Sequence, residues 1–283
     1  MLEARPSRTA YMVAMRRAAH QLFDHPKVLD DPIALPILGE AAETRLRGEW
    51  RFSNRVGRGV RASMAARSRY AEDQLGAAVA RGTRQYVVLG AGLDTFAYRN
   101  AYEQQGLRVF EVDYPATQMW KQHRLSAGGI AIPASLTFVP VDFERQTLPE
   151  ALRSAGFDSG QAAFFSWLGV TMYLARETVL STLRFIASCG PGGGVAFDYM
   201  VPRESLPWIR RFVFDAMARR VGRAGEPFRT FFDPGELTAE LARIGFHAIE
   251  NIGGAEINAR YFSGRSDRLR VPGILGRFAS AQV

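Results

Sequence analysis

Hydrophobic positions along the chain follow two rhythms. Over residues 7–25 the apolar side chains Tyr11, Ala14, Met15, Ala18, Ala19 and Leu22 recur at helical spacing behind Ser7, a good N-cap. The stretch VLDDPIALPIL predicts a short second helix, with Asp31 as its cap and Pro32 at its first position. Residues 60–80 read as another helix, so residues 1–80 predict a helical N-terminal cap. From residue 85 the rhythm changes to short apolar runs at 85–89, 107–112, 136–141, 162–168 and 194–199. Helical patterns separate most of them, notably 177–189, and that alternation predicts a parallel sheet covered on both faces. A helix over 234–244 begins at Asp233-Pro234, and 246–252 and 258–263 read as two last strands joined near Gly253-Gly254.

The expected architecture is α/β: a doubly wound, Rossmann-like, seven-stranded and mostly parallel sheet in a single domain. Its core spans 81–200 and 231–283. Residues 201–230 fit no strand–helix rhythm and follow the fifth strand, so they are expected to form a lid insertion over the carboxyl ends of the sheet, where open α/β sheets bind ligands. The tail, 264–283, is basic and reads as partly loose.

Composition narrows the function. The formal charge is +8, from 36 Lys and Arg against 28 Asp and Glu, and the basic residues are spread rather than blocked. That favours a solvated arginine-rich surface, or a field for a small anionic acceptor, over nucleic acid. A lone Cys189 excludes an internal disulfide, has no partner for a metal site, and fits a cytoplasmic protein. No apolar stretch approaches the roughly 18 residues of a membrane span, and charges interrupt the start where a signal peptide would be apolar.

The candidate chemistry begins where Val87-Val88-Leu89 runs into Gly90-Ala91-Gly92, with Asp94 and Thr95 where a helix is expected to start. In a dinucleotide fingerprint a third glycine would stand at position 95, and an acid at the helix mouth repels pyrophosphate. Thr95 and Asp94 therefore argue against a nicotinamide oxidoreductase; a ligand carrying an amino group and a sulfonium suits them better. Asp113 ends the second strand 23 positions beyond Gly90, the spacing of an acid that takes ribose hydroxyls. Asp142 ends the third strand, where a doubly wound sheet borders an adenine, and Phe143 follows it as a cover for the ring.

Five stretches, AARSRYAEDQL (65–75), VVLGAGLDTFAYR (87–99), FEVDYP (110–115), VPVDFE (139–144) and SWLGVTMYL (166–174), resemble the leucine carboxyl methyltransferase family in its bacterial branch of S-adenosylmethionine-dependent methyltransferases. With SRTA, DDPIA and FFDPGEL the likeness spans roughly 5–265. It implies S-adenosylmethionine as cofactor, with Arg67 on the carboxylate of its methionine part and Arg8 a weaker candidate for the same group. It further implies that Gly90, Ala91 and Gly92, with Asp94 and Thr95, lie beneath the methionine part, Asp113 takes the ribose, and Asp142 and Phe143 the adenine. One departure stands out. Where much of the family has a Glu-Gly-x-x-x-Tyr motif, this chain has Leu168 before Gly169 and keeps Tyr173. That puts in doubt any carry-over of the eukaryotic acceptor, a phosphatase C-terminus.

The implied reaction is methyl transfer to an oxygen of a small molecule. His20, His25, His123 and His247 stand alone as bases, which favours a carboxylate nucleophile, already ionised, over a phenol or alcohol. Tyr173 and Tyr199 are acceptor-orienting candidates; Trp208, Arg210, Arg211 and Arg229 are substrate candidates. The competing readings are O-methylation of a hydroxyl and a cofactor-binding protein without turnover.

Overall fold

A computed structural model describes residues 7–49, 52, 54–142, 145–223, 227–272 and 276–283. Its helical cap comprises α1 (Arg8–Phe23), α2 (Ala41–Gly48) and α3 (Arg55–Ala80). The strands are β1 (Gln85–Leu89), β2 (Arg108–Asp113), β3 (Leu136–Pro140), β4 (Ala162–Trp167), β5 (Gly190–Tyr199), β6 (His247–Ile252) and β7 (Arg277–Gln282). They form one seven-stranded sheet in the order β3-β2-β1-β4-β5-β7-β6, parallel except for β7, which runs antiparallel to both neighbours. The order reverses between β1 and β4, so the carboxyl end of β1 lies at the switch point where such sheets bind ligands.

Burial on both faces explains the wholly apolar strands. On one face α3 lays Ala62, Ala65, Ala66 and Tyr70 against Tyr86, Val88 and Ala196. On the other, Leu152 of α5 (Leu148–Ser154) and Val179 and Leu183 of α6 (Arg176–Ala187) meet Val87, Phe110, Phe165 and Phe197. Leu237 and Leu241 of α8 (Pro234–Ile244) complete that layer. Ser7 caps α1 through Ala10 N–H at 3.1 Å, and Asp233 caps α8 through Gly235 N–H and Glu236 N–H, both as the sequence suggests. The cap is pinned by a buried polar cluster. Arg61 of α3 forks onto Asp24 with both contacts at 2.6 Å and also donates to Phe52 O. His20 Nε2 accepts from Val28 and Leu29 N–H, so its Nδ1 carries the hydrogen that faces Asp24 at 2.7 Å.

Four expectations need correction. First, Asp31 caps no helix: the segment forms only a 3-10 turn at Pro36–Leu38, and the fully buried Asp31 accepts a hydrogen bond from Thr95. Second, no α-helix starts at Asp94 or Thr95. The β1–β2 connection carries two 3-10 turns, Phe96–Arg99 and Glu103–Gln105, because α3 already covers that face of the sheet. Third, 258–263 is no strand: most of it belongs to α9 (Gly254–Tyr261), where Glu256 reaches back to Gly253 N–H and Ile257 alone is buried. Fourth, the end of the tail is not loose. Residues 277–282 form β7, inserted between β5 and β6. Its Ala279, Ser280 and Ala281 are too small and mixed to announce a strand, yet they let neighbouring layers approach.

Ala279 pairs with Phe197 on one side and Asn251 on the other and is fully buried. Ala279→Glu is therefore expected to destabilise the protein by more than about 3 kcal/mol, enough to lose its cooperative thermal transition or its soluble expression. A merely loose tail would tolerate the change.

Candidate functional site at the switch point

The glycine loop leaves β1 without breaking its pairing. Gly90 and Ala91 N–H both donate to Val112 O, at 2.9 and 3.0 Å. Gly90 and Gly92 have φ +67° and +50°, conformations that a side chain resists. Gly92 N–H then donates to Asp113 Oδ2 at 2.5 Å, and Tyr114 N–H to Oδ1 at 2.7 Å. Asp113 thus latches the loop from the neighbouring strand end. Burial pushes its carboxyl above the ordinary 3.8, and the two N–H groups offset this only in part.

Asp94 and Thr95 both contact the cap, Asp94 remaining half-buried. Thr95 is fully buried; its hydroxyl donates to Asp31 at 2.7 Å and accepts from Arg17 at 3.3 Å. Arg17 also holds Leu93 O at 2.7 Å and lies 3.4 Å from Asp94 Oδ2. Asp94 Oδ1 takes Phe96 N–H at 2.9 Å. Burial alone would raise the Asp94 carboxyl; Arg17 and Lys121 outweigh it and hold the group below its ordinary value. Arg99 pairs with Glu72 of α3 and lies 3.5 Å from Asp31, so these residues brace the loop against the cap. Behind them the buried Glu111 sits 2.6 Å from Nζ of Lys121, on α4 (Pro115–Ala127), and burial pushes its carboxyl up to about 7 against that pull.

Arg67 of α3 reaches the same strand ends. It is 8% exposed, its Nη1 lies 3.4 Å from Asp198 Oδ2, and its Nε has no hydrogen-bond partner among the described residues. Gly169, at φ +72°, makes room for it: a Cβ there would stand 2.6 Å from Arg67 Nη1. Asp142 follows β3, half-buried, with Arg145 3.6 Å away; Phe143 lies outside the described residues, as does the Arg8 side chain.

The acceptor candidates are dispersed. Tyr199 packs in the core against Phe232 and donates to Asn251 at 2.8 Å, on the face away from Arg67. Tyr173 stacks on Phe228 at 5.6 Å. The segment 201–230 contains a 3-10 turn at Arg203–Ser205 and α7 (Trp208–Arg223). Phe214 packs with Met172 and Met200, just beyond β4 and β5, so α7 does sit at the carboxyl end of the sheet. Trp208 and Phe212, 70% and 69% exposed, instead line an outer cavity of about 290 Å³ with Arg203 and Arg211. Arg229 is exposed, and the Arg210 side chain lies outside the described residues.

The model of the leucine carboxyl methyltransferase family matches residues 10–187, more than half of the chain. The chain belongs to that family. The chain is similar to a Bacillus subtilis protein, YktD, provisionally named an S-adenosyl-L-methionine-dependent methyltransferase. The two are 30% identical over 285 residues, covering 93% of each chain. Two solved structures share the fold: a provisionally named methyltransferase from Thermobifida fusca (TM-score 0.59, 15% identity, 99% of this chain and 96% of that one) and a DUF574 family protein from Streptomyces avermitilis (TM-score 0.59, 15% identity, 100% and 99%). This leucine carboxyl methyltransferase family member is thus an S-adenosylmethionine-dependent methyltransferase.

The donor set fits such a group in charge: a guanidinium with an unfilled N–H at one end, and a half-buried acid at the end of β2. In space, Val170 leans over Gly90 so closely that a Cβ there would meet its Cγ2 at 2.5 Å, and Ala10 of α1 covers Gly92. Two residues escaped sequence reasoning. Val170 gives no sequence signal. Asp198 does: it is a further acid near a strand end, in VAFDY, continuing the series Asp94, Asp113, Asp142. Among the described residues no group of three or more His, Cys, Asp or Glu is arranged to hold a metal ion, and no helix is long and apolar enough to cross a membrane.

Proposed function

We propose that the protein transfers a methyl group to a carboxylate oxygen of a small molecule, producing a methyl ester. The placement of the four histidines carries this choice over a hydroxyl acceptor. His20 is buried in the cap with both ring nitrogens engaged. His25 and His123 are exposed, and His247 is exposed at the start of β6, the opposite end of the sheet from the glycine loop. A phenol or alcohol needs a base to remove its proton; a carboxylate does not. S-adenosylmethionine supplies a sulfonium methyl that passes to the acceptor oxygen, the carbon–sulfur electron pair remaining on the thioether.

The residues of this chain supply position. Arg67 holds the methionine carboxylate as a charge-assisted pair, Asp113 the ribose hydroxyls, and Asp142 with Phe143 the adenine edge. Gly90, Ala91 and Gly92 form the floor, with Asp94 and Thr95 beside them bracing it against the cap. The 201–230 segment serves as a lid that excludes water, and Arg229 contributes to a positive approach for an anionic acceptor.

The test is transfer of labelled methyl to a panel of carboxylic acids and phenols. Base-labile label on an acid is expected. Base-stable label on a phenol would overturn the carboxylate assignment, and binding of S-adenosylhomocysteine without transfer to any acceptor would favour a protein that binds but does not turn over.

A further inference from the structure

Arg67 and Asp198 bring opposite charges together from α3 and β5, each 8% exposed, beside Gly169 at the switch point. They close less tightly than Arg61 and Asp24 do, and are as open as the buried Arg17 and Asp31, 3.4 Å apart. Arg61 and Asp24 make two contacts of 2.6 Å, whereas Arg67 and Asp198 make one of 3.4 Å, and Arg67 Nε has no hydrogen-bond partner among the described residues. Asp198 is nonetheless firmly placed: Gly169 N–H donates to its Oδ1 at 2.5 Å, and the Thr171 hydroxyl donates to its main-chain oxygen at 2.6 Å. A buried arginine with an Nε–H to spare, fixed beside a buried carboxylate, matches a ligand that carries both charges on neighbouring atoms. The amino-acid end of S-adenosylmethionine is such a zwitterion.

The sequence adds a second reason. Leu168 stands where the family motif carries glutamate, and the Asp198 carboxylate reaches the N–H of the very next residue, Gly169. An acid is thereby returned to the floor of the site from a different strand.

We infer that Asp198 binds the ammonium group of the cofactor's methionine part while Arg67 takes its carboxylate. This rests on the cofactor placement proposed above. The competing role is structural: Asp198 merely holds Gly169 and Arg67 in place.

Asp198→Asn separates the two, because its amide oxygen still accepts Gly169 N–H while the charge is lost. Calorimetry should show S-adenosylhomocysteine binding weakened about tenfold or more, the scale of one hydrogen bond to a charged group. 5′-Methylthioadenosine, which has no amino-acid part, and a desamino analogue of S-adenosylhomocysteine should bind wild type and variant equally. Unchanged S-adenosylhomocysteine affinity in D198N overturns the inference, and so does an equal loss for all three ligands, the mark of a structural role. A wild-type protein that binds no S-adenosylhomocysteine overturns the parent cofactor site and the inference with it.

Discussion

Replacing Asp113 with alanine is expected to weaken S-adenosylhomocysteine binding by about a hundredfold or more. Two losses add. The proposed hydrogen bonds from a ribose diol to a charged acceptor are worth about 1.5–3 kcal/mol each. The change also strips Gly92 and Tyr114 N–H of their partner, freeing a loop that contains two positive-φ glycines. Asp113→Asn distinguishes the two, since it keeps an oxygen for Gly92 but lacks the charge. A variant that binds like wild type would assign Asp113 to the loop alone. The pH profile is a further check. Burial raises the Asp113 carboxyl, so it takes up its proton at higher pH than an ordinary aspartate. Affinity should then decline as pH falls, starting above the range where exposed aspartates titrate; a flat profile through that range contradicts the ribose role.

Arg61→Ala is expected to cost about 3–5 kcal/mol of stability, because it leaves Asp24 charged, buried and half-satisfied. Both side chains are nearly inaccessible, at 3% and 2%. For a chain of this size the thermal midpoint should drop by roughly 10 °C. A drop of only a degree or two would mean that the cap is not held by this pair. Burial by itself would raise the Asp24 carboxyl, but His20 and Arg61 overcome it and keep the group below its ordinary 3.8. The sign follows: the native state binds the proton less readily than the unfolded chain, so the stabilisation is present above the ordinary value and is lost as pH falls through the lowered one. The midpoint difference between wild type and Asp24→Asn should be constant near neutrality and shrink in acid.

The central strands were legible because burial on both faces forces near-continuous apolar runs, and 85–89, 162–168 and 194–199 have them. Asp113 was legible because it ends such a run at a fixed distance from a glycine turn. The errors fall where that signal is absent. Residues 277–282 offer two alanines and a serine, and only the gap between β5 and β6 makes a strand of them. Residues 258–263 alternate well enough for a strand, but Glu256 and the one-sided burial of Ile257 decide for a helix. The cap contacts of Asp94 and Thr95 were hidden as well, because nothing local to them reveals Arg17 and Asp31, more than sixty residues away in the chain.

By itself, then, the sequence determined the class of fold, the family and the cofactor chemistry. These reside in local periodicity and in residues a short, fixed distance apart, where backbone geometry alone sets the outcome. Only the tertiary structure decided which charges meet: Arg67 with Asp198, Arg17 with Asp94, Asp31 with Thr95. Pairing across long stretches of chain depends on how helices of the cap dock on the sheet, and docking is governed by the summed burial of many apolar side chains, with no trace in any one segment.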